Sequence, residues 1–197
     1  MASLAFISAA ELAAKIRGGA ISSIALTEYF IERIERFDKD INAVVVKTFE
    51  SARSAARVAD QAAASGRWLG PLHGVPMTIK ESYALGGTPT TWGIEQFRDN
   101  VAKEDGLIVQ RFKQSGAHFL GKTNVPVDLA GFQSYNPIYG VTSNPWDITR
   151  TPGGLQLAAR RLYQQACRHS RLDLILVARF GTQPIFAAFM VINQPMV

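Results

Sequence analysis

The sequence predicts an α/β protein in which a mixed or parallel sheet is covered by helices. Three observations lead there. Capped, helix-period segments fill much of residues 8–66 and 105–116. Short apolar runs bounded by Gly and Pro follow two of them, at 70–82 and 117–126. Hairpin turn signals are few, so strands are joined mainly through helices.

The elements follow in order. "SAAELAAKIRGG" sets Ser8 three residues before Glu11, a capping box, and closes on Gly18-Gly19. "SSIALTEYFIERIERFDKD" spaces Leu26, Phe30, Ile31, Ile34 and Phe37 as one helical face, with Ser22 or Ser23 as N-cap. "ESARSAARVADQAAASG" is Ala-rich and stops at Gly66. "GPLHGVPMTIKES" then reads as a strand. "DGLIVQRFKQSG" gives a helix capped by Asp105, with Leu107, Ile108 and Phe112 inward and a stop at Gly116. "AHFLGKTNVP" is a second strand running into a loop.

Composition narrows the class. In 197 residues, 47% hydrophobic and 19% charged content suits one folded body. No apolar run reaches the length of a membrane span, and Glu11 interrupts the short apolar start, so no secretory signal is expected. The single cysteine, Cys167, leaves no internal disulfide and points to a reducing, cytoplasmic setting. The net charge of +5 is unevenly placed. Residues 155–197 carry Arg160, Arg161, Arg168, Arg171 and Arg179 against Asp173, leaving 16 basic and 15 acidic residues for 1–154. The body is nearly neutral, and nucleic acid is not expected as a partner.

Lys80 is the residue richest in chemical meaning. It follows Val75-Pro76-Met77-Thr78-Ile79, which reads as a buried strand. One reading is a strand-end lysine that snorkels to solvent. The other is an amine in a dry site, where burial lowers its pKa and lets it act as a base near neutrality. His73, beside Gly74, reads as structural, and Glu81 as a solvated or hydrogen-bonded neighbour. His73, His118 and His169 are scattered and Cys167 stands alone, so no metal site and no cofactor are expected.

The motifs "ISAAELAAKIRGGAISS", "GPLHGVPMTIKES", "GTPTTWGIEQF" and "GAHFLGKTNVPVDLAGFQSYNPIYGVTSNPWDITRTPGG", in this order, resemble the N-terminal part of the amidase signature family. The resemblance covers about residues 7–154. It implies a mixed sheet wrapped by helices, incomplete in this chain, and hydrolysis of a small-molecule amide by a Ser–cis-Ser–Lys triad. Lys80 stands where the family has its lysine base. Gly153 and Gly154 open the loop that in the family continues into the bridging cis-serine. A later Gly-Ser-Asp-Ile-Gly-Gly-Ser-type stretch supplies the family's nucleophile and oxyanion-hole amides. An amide carbonyl is a poor electrophile, so a serine must lose its proton as it attacks, and backbone N–H donors must hold the oxyanion.

Here both serines are absent. The one serine after Gly154 is Ser170, with no glycine beside it. Taken as written, residues 155–197 are a divergent tail whose basic helix could meet an acidic partner or a membrane surface. Taken as codons, they suggest a shifted frame. Ala178–Phe186, read from the third base of each codon with chosen wobble bases, permits "SIRNPAHF". Leu157–Val197 read likewise permits a run containing "GSDIGGS", and Leu155-Gln156 permits two serines in the remaining frame. Two extra single bases flanking that dipeptide account for the whole tail.

The expected organisation is therefore an N-terminal part of an amidase signature domain at 1–154 and an out-of-frame or divergent tail at 155–197. Amide-bond hydrolysis is expected of the parent protein and catalytic incompleteness of this chain. A non-catalytic binding or regulatory fragment is the alternative. Exposed core surface would favour self-association or chaperone binding.

Overall fold

The computed structural model describes residues 4–131, 133–150 and 152. Helix α1 (Ala9–Arg17) begins on the expected capping box. The Glu11 N–H donates to Ser8 Oγ at 3.1 Å, and the Ser8 N–H donates to the Glu11 carboxylate at 2.8 Å. It ends at Gly18, followed by Gly19 in the left-handed region.

Helix α2 (Ser23–Phe37) takes Ser22 as its N-cap, and the Ser22 hydroxyl accepts the Ala25 N–H. Ser23 is instead buried, donating through Oγ to the Gly74 carbonyl at 2.7 Å. A second cap comes from a distant element. Asp60 of α3 (Phe49–Ala64) accepts the Ser23 N–H at 2.7 Å and the Ile24 N–H at 3.0 Å. A carboxylate there satisfies two orphan donors and complements the helix dipole. Asp60→Ala is expected to cost about 1–2 kcal/mol, seen as a lower urea midpoint, and Asp60→Asn, which keeps one acceptor, to cost less.

Leu26, Phe30, Ile31 and Ile34 are buried and Phe37 packs against the core edge. Helix α3 packs on α2 and on the strand His118–Thr123, and its Ala52, Ala56, Ala59 and Ala62 are buried. Side chains this small let two helix backbones approach closely.

The main sheet is mixed and has three strands in the order β1–β3–β2. Strands β2 (Pro76–Lys80) and β3 (His118–Thr123) are parallel, as their intervening helix requires, and are the two strands expected. Strand β1 (Val44–Lys47) lies outside the expected elements, and it runs antiparallel to β3. Its signal is the β-branched Val44-Val45-Val46 run after a helix. All six residues of β3 are buried, because it is the central strand. A small hairpin, β4 (Tyr135–Asn136) and β5 (Gly140–Val141), follows the loop after β3.

Helix α4 (Leu107–Gln114) departs from its reading in the first turn. Its N-cap is Gly106, not Asp105. Asp105 is held elsewhere: it accepts the Gly86 N–H at 2.8 Å and pairs with Lys113 at 2.6 Å. Val109 and Phe112 form the buried face, with Ile108 partly covered and Leu107 exposed.

His118 opens β3 inside the core. Thr27 donates to the Ser23 carbonyl, so the imidazole Nε2–H donates to Thr27 Oγ1 at 2.9 Å. Burial pushes its pKa down to about 4, which the nearby Asp60 charge opposes. The native state thus refuses a proton that the unfolded chain accepts near 6.5. The His118 contribution to stability is lost as pH drops from about 6.5 towards 4, while buried Asp38, its carboxyl pKa raised to about 6, works the other way between about 6 and 4. Urea midpoints across that window check this: relative to the unsubstituted chain, His118→Gln is expected to gain stability steadily as pH falls from about 6.5 to 4.

Candidate active site

Ligand crevices in open α/β sheets lie beyond the carboxyl ends of the strands. Here the parallel pair ends on Lys80 and Thr123, which are register partners. Lys80 is half-buried, and its carbonyl accepts the Tyr83 N–H at 3.0 Å. The next residue stitches the two strand ends together, since the Glu81 N–H donates to the Thr123 carbonyl at 2.9 Å.

Glu81 is more than a neighbour. Its side chain is fully buried and accepts three hydrogen bonds. They come from the Thr91 N–H at 2.6 Å, the Trp92 N–H at 3.0 Å and the Tyr139 hydroxyl at 3.0 Å. Two successive backbone N–H groups aimed at one carboxylate form an anion-binding concavity. Burial, reinforced by the Glu81 charge, pushes the Tyr139 hydroxyl up to about 12, so it stays a donor at neutral pH.

Lys122, which nothing in the sequence marks, is also fully buried. Its Nζ donates to the Pro89 carbonyl and to Thr90 Oγ1, the latter at 2.9 Å. Burial lowers its pKa to about 8 while the Glu81 charge works against the shift. No sequence pattern separates Lys122 from a strand lysine that snorkels.

Beyond β3, Asn124 organises the returning chain. Its amide donates to the Gly140 carbonyl at 3.1 Å and Thr142 Oγ1 at 3.0 Å, and its Oδ1 accepts from Asn136 Nδ2 at 2.8 Å. Asn136 in turn accepts the Ile138 and Tyr139 N–H groups. This buried amide network seats the β4–β5 hairpin that brings Tyr139 to Glu81.

The loops around these strand ends hold unusual backbone. Trp92, Asp128 and Leu129 have φ of 55°, 50° and 58°. Bulky residues in that region cost about 1–3 kcal/mol each and persist where surroundings impose them. The Trp92 carbonyl accepts the Asp128 N–H at 2.9 Å, so two of the three support each other.

His73 is buried and its Nδ1 accepts the Leu69 N–H at 3.0 Å, a structural role. Among the described residues no three His, Cys, Asp or Glu side chains converge as a metal set, and no helix is long and apolar enough to cross a membrane. A cavity of about 850 Å³ opens beside Phe49, Leu69, Leu85 and Phe119, and Lys80 does not line it. Gly153, Gly154, Cys167, His169 and Ser170 lie outside the described residues.

A family comparison decides what this arrangement belongs to. The Amidase family model matches residues 25–154. The chain belongs to the amidase family. It is 42% identical over 148 residues to an indoleacetamide hydrolase of Bradyrhizobium diazoefficiens, covering 75% of this chain and 28% of that protein. It is 40% identical over 152 residues to an acylamidase of Rhodococcus erythropolis, covering 77% and 32%. A bacterial aryl acylamidase structure superposes with a TM-score of 0.71 at 31% identity, covering 80% of this amidase chain and 33% of that one. The chain thus spans about a third of the length of the curated relatives it matches.

Proposed function

We propose that this chain carries the amine base of a hydrolase acting on amide C–N bonds. The observation that carries the reading is the place of Lys80: half-buried, last in β2, beside Thr123, in the Gly74–Lys80 run that resembles the family's lysine motif. Relatives named indoleacetamide hydrolase and acylamidase support an amide substrate.

In this mechanism a serine hydroxyl attacks the amide carbonyl while its proton passes through a bridging serine to the neutral Lys80 amine. Backbone N–H groups hold the oxyanion. As the C–N bond breaks, the departing amine takes that proton back, and water then cleaves the acyl-enzyme by the same route.

Only Ser170 follows Gly154, so the chain as written offers the base without its hydroxyl partners. We therefore assign 1–154 to the N-terminal part of the catalytic domain and 155–197 to out-of-frame sequence. That lack of serines also favours the second reading, a non-catalytic fragment, with self-association through apolar surface meant for later strands.

Two experiments test this. The nucleotide sequence around codons 154–157 should show two single-base insertions, and an uninterrupted ancestral frame there sinks the frame assignment. An assay on simple amides should find turnover only after the frame is restored and the gene extended to full length, giving the frame-restored enzyme, and such an enzyme without turnover removes the hydrolase reading.

A further inference from the structure

Loop 89–92 is gripped at four successive residues by two buried, opposite charges. Lys122 donates to the Pro89 carbonyl and to Thr90 Oγ1. Glu81 accepts the N–H groups of Thr91 and Trp92. Ile79 is the register partner of Lys122, and Lys80 that of Thr123. Side-chain alternation therefore places Lys122 on the face of the sheet opposite Lys80. Neither charge takes part in the proton transfer assigned to Lys80.

Burying two charges that do not pair directly is an expensive way to hold a fold, since apolar side chains of similar volume do as well or better. What it provides is directional. The ammonium fixes a carbonyl and a hydroxyl, the carboxylate fixes two amides, and together they set both position and orientation of one short loop. The grip reaches further, because Trp92 is held at positive φ and its carbonyl seats Asp128 in the loop after β3. Tyr139, itself beside Arg98, closes the carboxylate's third side.

We propose that Glu81 and Lys122 are positioning residues, a charge clamp that fixes loop 89–92 against the ends of β2 and β3 and so sets where Lys80 stands relative to an amide substrate. The functional half rests on the reading of Lys80 as the base; the clamp itself does not.

The test uses the 197-residue chain and hydrogen–deuterium exchange on peptides spanning 88–94. In Glu81→Gln and Lys122→Met, exchange at Thr91 and Trp92 should quicken about tenfold or more, with peptides of α2 unchanged. A lone buried charge is costly, so either single variant can fail to fold. The double variant Glu81→Gln/Lys122→Met removes both charges together and keeps the core. It should still lose protection at 91–92. Wild-type protection there in the double variant overturns the clamp.

In the frame-restored enzyme, the double variant should lower kcat about tenfold or more with KM within about twofold, the pattern of a lost transition-state arrangement. An unchanged kcat overturns the positioning role. Absence of turnover in the unsubstituted restored enzyme instead removes the hydrolase reading, and the exchange result still decides the clamp.

Discussion

In the frame-restored enzyme, Lys80→Ala is expected to lower kcat about 10²–10⁴-fold with a small change in KM. The reason is the division of labour in amide cleavage. As the base proposed above, the amine acts only as the serine proton moves and is not needed to hold the substrate. Deleting it removes transition-state stabilisation and leaves ground-state binding in place. The same substitution in the 197-residue chain should change nothing, because a base without a hydroxyl partner activates nothing. Steady-state hydrolysis of simple amides by the four proteins checks both halves. Lys80-dependent turnover by the unrestored chain would mean that residues 155–197 supply a nucleophile. A restored enzyme indifferent to Lys80→Ala would mean that Lys80 is not the base.

Gly121→Ala should be the most damaging small substitution in the sheet, at about 3 kcal/mol, the upper end of the cost of overpacking. Gly121 sits in central β3 where β1 crosses it closely. A Cβ there would run into the Val46 carbonyl oxygen and lie 2.9 Å from Val44 Cγ1 and 3.3 Å from the Lys47 Cα. Backbone cannot yield as a flexible side-chain tip can, so β1 must move away and lose ladder bonds. The register of β1 already shifts between Val44 and Val46, just before Lys47, the register partner of Gly121. Urea midpoints by circular dichroism at low protein concentration check this. A change below about 1 kcal/mol would show that β1 can slide without cost.

Much of the scaffold was legible because its signals are local. Ser8 and Glu11 announce α1 by their spacing, and Leu26, Phe30, Ile31 and Ile34 mark the buried side of α2. Both parallel strands stand out as apolar runs between glycines and prolines. The misreadings have local causes too. Asp105 has the chemistry of an N-cap, but Lys113 and the Gly86 N–H hold its carboxylate, and Gly106 takes the cap instead. Strand β1 is not legible in the sequence, because four residues between two helices give too short a pattern to separate from a connection.

By itself, then, the sequence determined the family-type α/β body and the boundaries of α1 and α2 set by caps and glycines. These depend on residues within a few positions of one another, or on a motif whose order is written along the chain. Only the tertiary structure decided that Glu81 and Lys122 are both buried and both hold loop 89–92. It also decided that Asp60 caps a helix 36 residues upstream and that Asn124 and Asn136 seat the hairpin carrying Tyr139. A charged residue followed by a loop looks the same in sequence whether water or four backbone and hydroxyl groups satisfy it. Which of these happens depends on partners brought from other elements, and the fold alone brings them within hydrogen-bond reach.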